Sequence, residues 1–301
     1  MKTTKQAVSF LSNGITLAAH LYLPETPAGG ALVVGHPGTA VKEQTAGLYA
    51  QLLAEKGFIT LAYDAAYQGA SGGFPRGLED PAQRVEDIKA AVSCLQALPA
   101  ADPERIGVLG ICASGGYAVA AAATDHRIKA VGTVSAADIG RQFRNGGDGR
   151  QSPDVIMGML DMAAADRLAV ARGAEPGAFP LFPAEEQARA MGLHVYEGWK
   201  YYCTDQGQHP RSAKAFQWKS VELIAGFDAF RFADLIAPRP LLMITGSEAV
   251  TAWMTEAAIA AAKAPKTHHI IDGATHVELY YKQPHVDAAV EKLGEFFSEN
   301  L

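Results

Sequence analysis

The chain has 301 residues, 49% of them hydrophobic and 19% charged, enough for one large α/β domain or for a domain carrying an insertion. Its 26 lysines and arginines against 32 aspartates and glutamates give a net charge of −6, which argues against nucleic acid or an anionic membrane as partner. The opening MKTTKQAVSF lacks the apolar stretch of a signal peptide, and no apolar run approaches the roughly 18 residues that span a bilayer.

Cys94, Cys112 and Cys203 are too few and too far apart for a disulfide framework or a zinc ribbon. A cytoplasmic protein with reduced thiols and no metal is therefore expected. Residues 5–11 and 15–23 alternate about Ser12, Asn13 and Gly14 and predict an antiparallel hairpin. An apolar strand follows at 31–35 and ends in His36, Pro37, Gly38 and Thr39. A helix is expected over 43–56, stopped by Gly57, then a strand over 58–63 and a glycine-rich loop over 64–77. Asp80 and Pro81 open a helix that runs to residue 98, and a buried strand covers 105–111.

A helix at 115–123 and a strand at 128–135 continue the alternation, which then breaks. Residues 138–232 carry helix formers and aromatics, including Trp199, Tyr201, Tyr202, Phe216 and Trp218, but no clear strand. They predict a mostly helical lid whose aromatics either pack its own core or line a pocket. Alternation resumes with a strand at 240–245, a helix at 251–263, a strand at 268–271 and a helix at 285–299. Two core pieces, 1–137 and 233–301, thus enclose the lid. Antiparallel strands followed by repeated β–α units predict an α/β fold with a mostly parallel central sheet covered by helices on both faces.

Chemistry in such sheets collects at the carboxyl ends of strands. Those ends offer the His36 to Thr39 loop, Asp64, Cys112, Asp138, Glu248 and His276, in the order nucleophile, acid, histidine. Two nucleophiles compete at one turn. Cys112 lies between the small Gly110 and Ser114, and Ser114 lies between Cys112 and Gly116. Small residues two positions to either side are what a strained strand-to-helix turn requires. Gly110 ending the buried strand favours Cys112, with Ser114 as the alternative nucleophile.

The chain order resembles that of the α/β-hydrolase superfamily. Gly110-Ile111-Cys112-Ala113-Ser114-Gly115-Gly116 is similar to the Gly-x-Cys-x-Gly-Gly elbow of dienelactone hydrolases, with serine where relatives carry glycine. The resemblance covers nearly the whole chain outside the lid. It implies that His276, after the last strand, is the general base. It also implies that amides of Ala113 and of Gly38 or Thr39 hold the oxyanion, since Pro37 has no N–H. The Asp64, Gly69, Ser71 and Gly72 loop resembles an architectural loop of the family. Many relatives place an aspartate three residues after the glycine of Gly246, where this chain has Ala249. Glu248, one position early on a longer arm, is therefore the expected acid, with Asp138 as the alternative.

These residues lead to the expectation of a hydrolase that cleaves a small ester, thioester or lactone through an acyl-Cys112 intermediate. An acyltransferase using the same triad, a serine esterase using Ser114 and a non-catalytic binding protein are the alternatives. The helix N-terminus and a nearby imidazolium would hold the Cys112 thiol below its usual value of ~8.5. The glycine-rich turns lack dinucleotide or P-loop spacing, so no cofactor is expected. Arg141 and Arg144 of the lid are candidates to contact an acidic substrate group. Oligomeric state is not readable from the sequence, and a homo-oligomer stays open.

Overall fold

A computed structural model describes residues 1–27 and 30–301. The chain order is β1 (Thr3–Ser12), β2 (Ile15–Pro24), β3 (Ala31–Gly35), α1 (Thr45–Glu55), β4 (Ile59–Tyr63), α2 (Pro81–Gln96), β5 (Ile106–Ile111), α3 (Ala113–Thr124) and β6 (Ala130–Val134). There follow α4 (Ile139–Asn145), α5 (Pro153–Ala171), β7 (Ala178–Pro180), α6 (Glu185–Ala190), α7 (Leu193–Cys203), β8 (Ala215–Gln217) and α8 (Trp218–Ala225). A 3₁₀ turn at Ala233–Ile236 leads to β9 (Leu241–Gly246), α9 (Ala252–Ala261), β10 (Lys266–Ile271), a second 3₁₀ turn at Glu278–Tyr280 and α10 (Gln283–Asn300).

The main sheet has eight strands in the order β1-β2-β4-β3-β5-β6-β9-β10. The β1–β2 and β2–β4 joints are antiparallel and the rest parallel. Every residue of β3, β4, β5, β6 and β9 is buried, as expected of parallel strands covered on both faces. Alternation along β5 separates the two cores. Val108 packs with Leu17, Ile88 and Tyr117 beneath α2 and α3, while Leu109 packs with Leu53, Leu293 and Phe297 beneath α1 and α10. Among the described residues no helix is long and apolar enough to cross a membrane.

Residues 138–232 add to none of the main sheet's strands. They are not wholly helical, because β7 and β8 pair antiparallel, with Phe179 opposite Phe216. Three-residue strands carry too short a pattern to announce themselves in sequence. The Phe179 ring lies 4.6 Å from that of Trp218, so these aromatics form a small core of their own beside α5 and α8.

Candidate active site

Cys112 joins β5 to α3 with φ 55° and ψ −121°, a left-handed conformation costly for a residue with a side chain. The surrounding packing imposes it. The backbone N–H of Cys112 donates to Val134 O at 3.0 Å, and its carbonyl accepts from Gly115 and Ala137 at 2.8 and 2.9 Å. A Cβ on Gly110 would lie 2.1 Å from the Ser114 carbonyl, so the turn closes only over glycine.

Ser114 lies two residues beyond the strained cysteine, and the neighbouring strand makes room for it. A Cβ on Gly35 would come within 2.8 Å of Ser114 Cβ. The serine hydroxyl is buried and turned toward the loop after β3. It donates to His36 O at 2.6 Å and accepts from Arg84 Nη2 at 3.0 Å. Arg84 Nη2 also donates to His36 O at 2.7 Å, and Arg84 Nε faces Glu79 Oε1 at 3.5 Å. Ser114 thus fastens the loop bearing Gly38 to the elbow.

The Cys112 thiol lies within hydrogen-bond reach of the Ala113 amide, the Gly38 amide and the Tyr280 hydroxyl. Gly38, and not Thr39, borders the cavity in front of it. Thr39 instead turns back with φ 57°, its carbonyl held by Ser212 Oγ at 2.8 Å. The expectation of a depressed thiol pKa is corrected. Burial pushes the Cys112 thiol up, outweighing the lowering by its Tyr280, Ala113 and Gly38 contacts.

His276 is buried in the turn between β10 and the second 3₁₀ turn. Ser135 Oγ donates to its carbonyl at 3.0 Å. Nε2 lies 2.8 Å from the Tyr280 hydroxyl and Nδ1 2.5 Å from Thr251 Oγ1. The ring of His194, from α7, stands edge-on to it with centroids 5.1 Å apart. Burial, and then the repulsion of His194, hold the imidazole well below its usual pKa. Both shifts favour the uncharged forms, a thiol and a neutral imidazole, over the ion pair.

Neither expected acid reaches this ring. Glu248 is exposed after β9, and its only described hydrogen bond is from its backbone N–H to Ala274 O at 3.0 Å. Asp138 is buried but committed elsewhere. One oxygen caps α4 by accepting from Gly140 and Arg141 at 2.9 and 3.2 Å. The other accepts from Ala229 at 3.1 Å and faces Arg141 Nε at 3.2 Å. Burial is the main reason that the Asp138 carboxyl is pushed up to about 6. The imidazole position that an acid would occupy is filled by Thr251, two residues beyond the buried Ala249.

Sequence reading missed Thr251 and Tyr280. Their only linear signals were a hydroxyl in the turn after β9 and a tyrosine four residues beyond the histidine. Asp64 is architectural. It accepts from Lys42 N and Lys42 Nζ at 2.7 and 2.8 Å and from Ala70 N at 2.7 Å. Arg141 is taken by Asp138 and Asp228, and Arg144 donates to Ala225 O and Phe227 O at 2.7 and 2.9 Å. Both arginines are thereby tied into the lid.

Cys112, His276 and Tyr280 border a cavity of about 190 Å³, roofed by Phe143, Leu181, Phe182, Tyr202 and Phe216. Of the aromatics that the sequence singled out in 138–232, Tyr202 and Phe216 border this cavity, while Trp218 packs against Phe179. The Tyr202 hydroxyl also donates to Gly38 O at 3.3 Å, linking α7 to the loop after β3. Among the described residues no aspartate or glutamate lines this cavity. Its size falls below the ~300–1,000 Å³ of sites for drug-sized ligands.

The comparisons with known proteins agree with this architecture. Residues 13–278 match the model of the X-Pro dipeptidyl-peptidase (S15) family. Over 302 aligned residues the chain is 40% identical to the uncharacterized protein YcjY of Escherichia coli K12, covering 98% of each chain. The crystal structure of the hypothetical protein PA2218 from Pseudomonas aeruginosa superposes with a TM-score of 0.92 at 37% identity, covering 100% of this chain and 94% of that one. Thiohydrolase aneE of Aspergillus aculeatus is 32% identical over 203 residues, 66% of this chain and 62% of that protein. With its α/β-hydrolase sheet and a family match spanning 13–278, the chain belongs to the X-Pro dipeptidyl-peptidase (S15) family of α/β-hydrolase-fold enzymes.

Proposed function

We propose that the protein is a cysteine-dependent acyl hydrolase acting on small esters, thioesters or lactones with an apolar acyl group. The observation that carries this is the convergence of the Ala113 and Gly38 amides on the thiol of a positive-φ cysteine, beside a buried histidine. Cys112 Sγ attacks the carbonyl carbon as its proton leaves toward His276 Nε2. The carbonyl electron pair moves onto an oxygen held by the Ala113 and Gly38 amides. Collapse expels the alcohol or thiol, which takes the proton back, and water then cleaves the acyl-Cys112 thioester by the same route.

The Thr251 hydroxyl replaces the acid by accepting from Nδ1–H and fixing the ring. A thiol is far more acidic than a serine hydroxyl, so its histidine needs less help from an anionic partner. The same chemistry disfavours amides. A thioester intermediate lies high in energy relative to an amide, and the cavity offers no carboxylate to grip a peptide's amino terminus. The kinship to a thiohydrolase supports a thioester as the natural substrate class.

Intact-mass analysis during turnover of an aryl thioester tests the reading. An acyl adduct on Cys112, and its loss together with activity in Cys112→Ala, is expected. Full activity in Cys112→Ala with loss in Ser114→Ala overturns it. Added alcohol or amine acceptors that divert most of the product away from the free acid would make the enzyme a transferase.

A further inference from the structure

We propose that Tyr280 is a catalytic residue that relays the proton between Cys112 Sγ and His276 Nε2. Its hydroxyl lies 2.8 Å from Nε2, and the tyrosine borders the same cavity as Cys112, as a hydrogen-bonding neighbour of the thiol. Among the described residues, the hydrogen-bond partners of the two imidazole nitrogens are Tyr280 and Thr251. The path from thiol to base therefore runs through the phenol. This inference rests on the nucleophile and base assigned above.

A phenolic hydroxyl suits the position because it can accept one hydrogen bond while donating another. The tyrosine is held to it. Its backbone N–H donates to Val277 O at 2.9 Å, and its ring packs edge-on to Tyr201 at 5.3 Å and to His276 at 5.5 Å. The side chain is buried. Burial also pushes the phenol well above its usual pKa, so it stays protonated at rest and passes protons without standing as a phenolate.

The step balances as follows. As Sγ bonds to the carbonyl carbon, the S–H bond breaks and its proton joins the Tyr280 oxygen. The phenol's own proton moves to Nε2, and the carbonyl π pair moves onto the oxygen. Collapse of the intermediate reverses the relay, with the proton passing from Nε2 through Tyr280 to the leaving alcohol or thiol. Attack by water on the thioester uses the same hydroxyl, since it stands where a water would otherwise meet the base.

Single-turnover acylation by an aryl ester, followed by intact mass, is the test. In Tyr280→Phe the acylation rate is expected to fall about 100-fold, within the range for loss of acid–base help. Its melting temperature should fall by only about 2 to 4 °C, the cost of one buried hydrogen bond, and its thiol titre after denaturation should stay unchanged. The solvent isotope inventory, curved in the wild type for two protons in flight, should become linear. An acylation rate within threefold of wild type overturns the relay alone. Faster hydrolysis in Tyr280→Phe also overturns it, because the hydroxyl would then be a plug against water. Absence of any acyl-Cys112 in the wild type overturns the nucleophile assignment and the relay with it. Should Tyr280→Phe fail to fold, 3-fluorotyrosine placed at position 280 keeps ring and hydroxyl while acidifying the phenol. A changed acylation rate at fixed pH, with the isotope inventory still curved, then supports the relay, and an unchanged rate with a linear inventory overturns it.

Discussion

Replacing Ser114 with alanine separates the two nucleophiles that the elbow offers, and its cost follows from the contacts. The substitution keeps the Cβ packed toward Gly35 and removes the hydroxyl alone. It deletes the 2.6 Å bond to His36 O and the 3.0 Å bond from Arg84 Nη2, one neutral and one charge-assisted. Such bonds contribute about 1 and about 2 kcal/mol. Arg84 Nη2 retains its 2.7 Å bond to His36 O, so neither partner is stranded. The net loss is therefore about 3 kcal/mol. At this chain length about 2 °C of melting temperature accompanies each kcal/mol, which gives a fall of about 6 °C. The loop bearing Gly38 is loosened but its other ties remain, so kcat on an aryl thioester should fall less than about tenfold. Scanning calorimetry and steady-state kinetics on Ser114→Ala and Cys112→Ala together are decisive. Loss of activity beyond 100-fold in Ser114→Ala, with the melt lowered as calculated, would refute the assignment of the serine to structure.

Other expectations follow from the same contacts. Thr251→Val removes the only described hydrogen bond to His276 Nδ1 and should lower kcat about tenfold, with the melt lowered by about 2 to 4 °C. Thr251→Asp places a carboxylate beside the ring, favours the imidazolium and should move the Cys112 alkylation limb to lower pH. In the wild type, burial holds the thiol up, so alkylation by iodoacetamide should rise along a limb above the ordinary thiol value of ~8.5. A limb below that value would show that the thiolate–imidazolium pair forms at rest. Glu248→Ala should change stability by less than about 0.5 kcal/mol and leave kcat intact, as an exposed charge away from the ring. Asp138→Ala strips the N-cap of α4 and leaves buried N–H groups unmatched, a loss of about 3 kcal/mol readable as a melt lowered by about 6 °C. A fall in kcat beyond about 100-fold in either of these last two, with the melt no lower than stated, would restore a carboxylate to the mechanism.

Much of this was legible in the linear chain because the relevant signals are local. Continuous apolar runs mark β3, β4 and β5 as strands buried on both faces, since a parallel sheet hides every position. Gly110, Cys112 and Gly115 lie within one turn, so the steric demand of the elbow is written in adjacent letters. The histidine after the last strand is likewise fixed by position in a fold whose loops gather at one end of the sheet. The hydrogen-bond partners of that histidine are not local, and here the sequence misled. Glu248 lies close to the usual acid position in sequence, but the turn after β9 points it to solvent and presents Thr251 instead. Asp138 is charged and buried, yet the helix it caps consumes its oxygens. Tyr280 meets the thiol only because the 3₁₀ turn after His276 curls back over the elbow. The sequence by itself determined the α/β layering and the small-residue turn around Cys112, which follow from periodicity and residue size within short windows, while His276 was singled out by the family resemblance. Tertiary structure alone decided which side chains complete the site, because a hydrogen bond depends on direction and on tenths of an ångström between segments far apart in the chain.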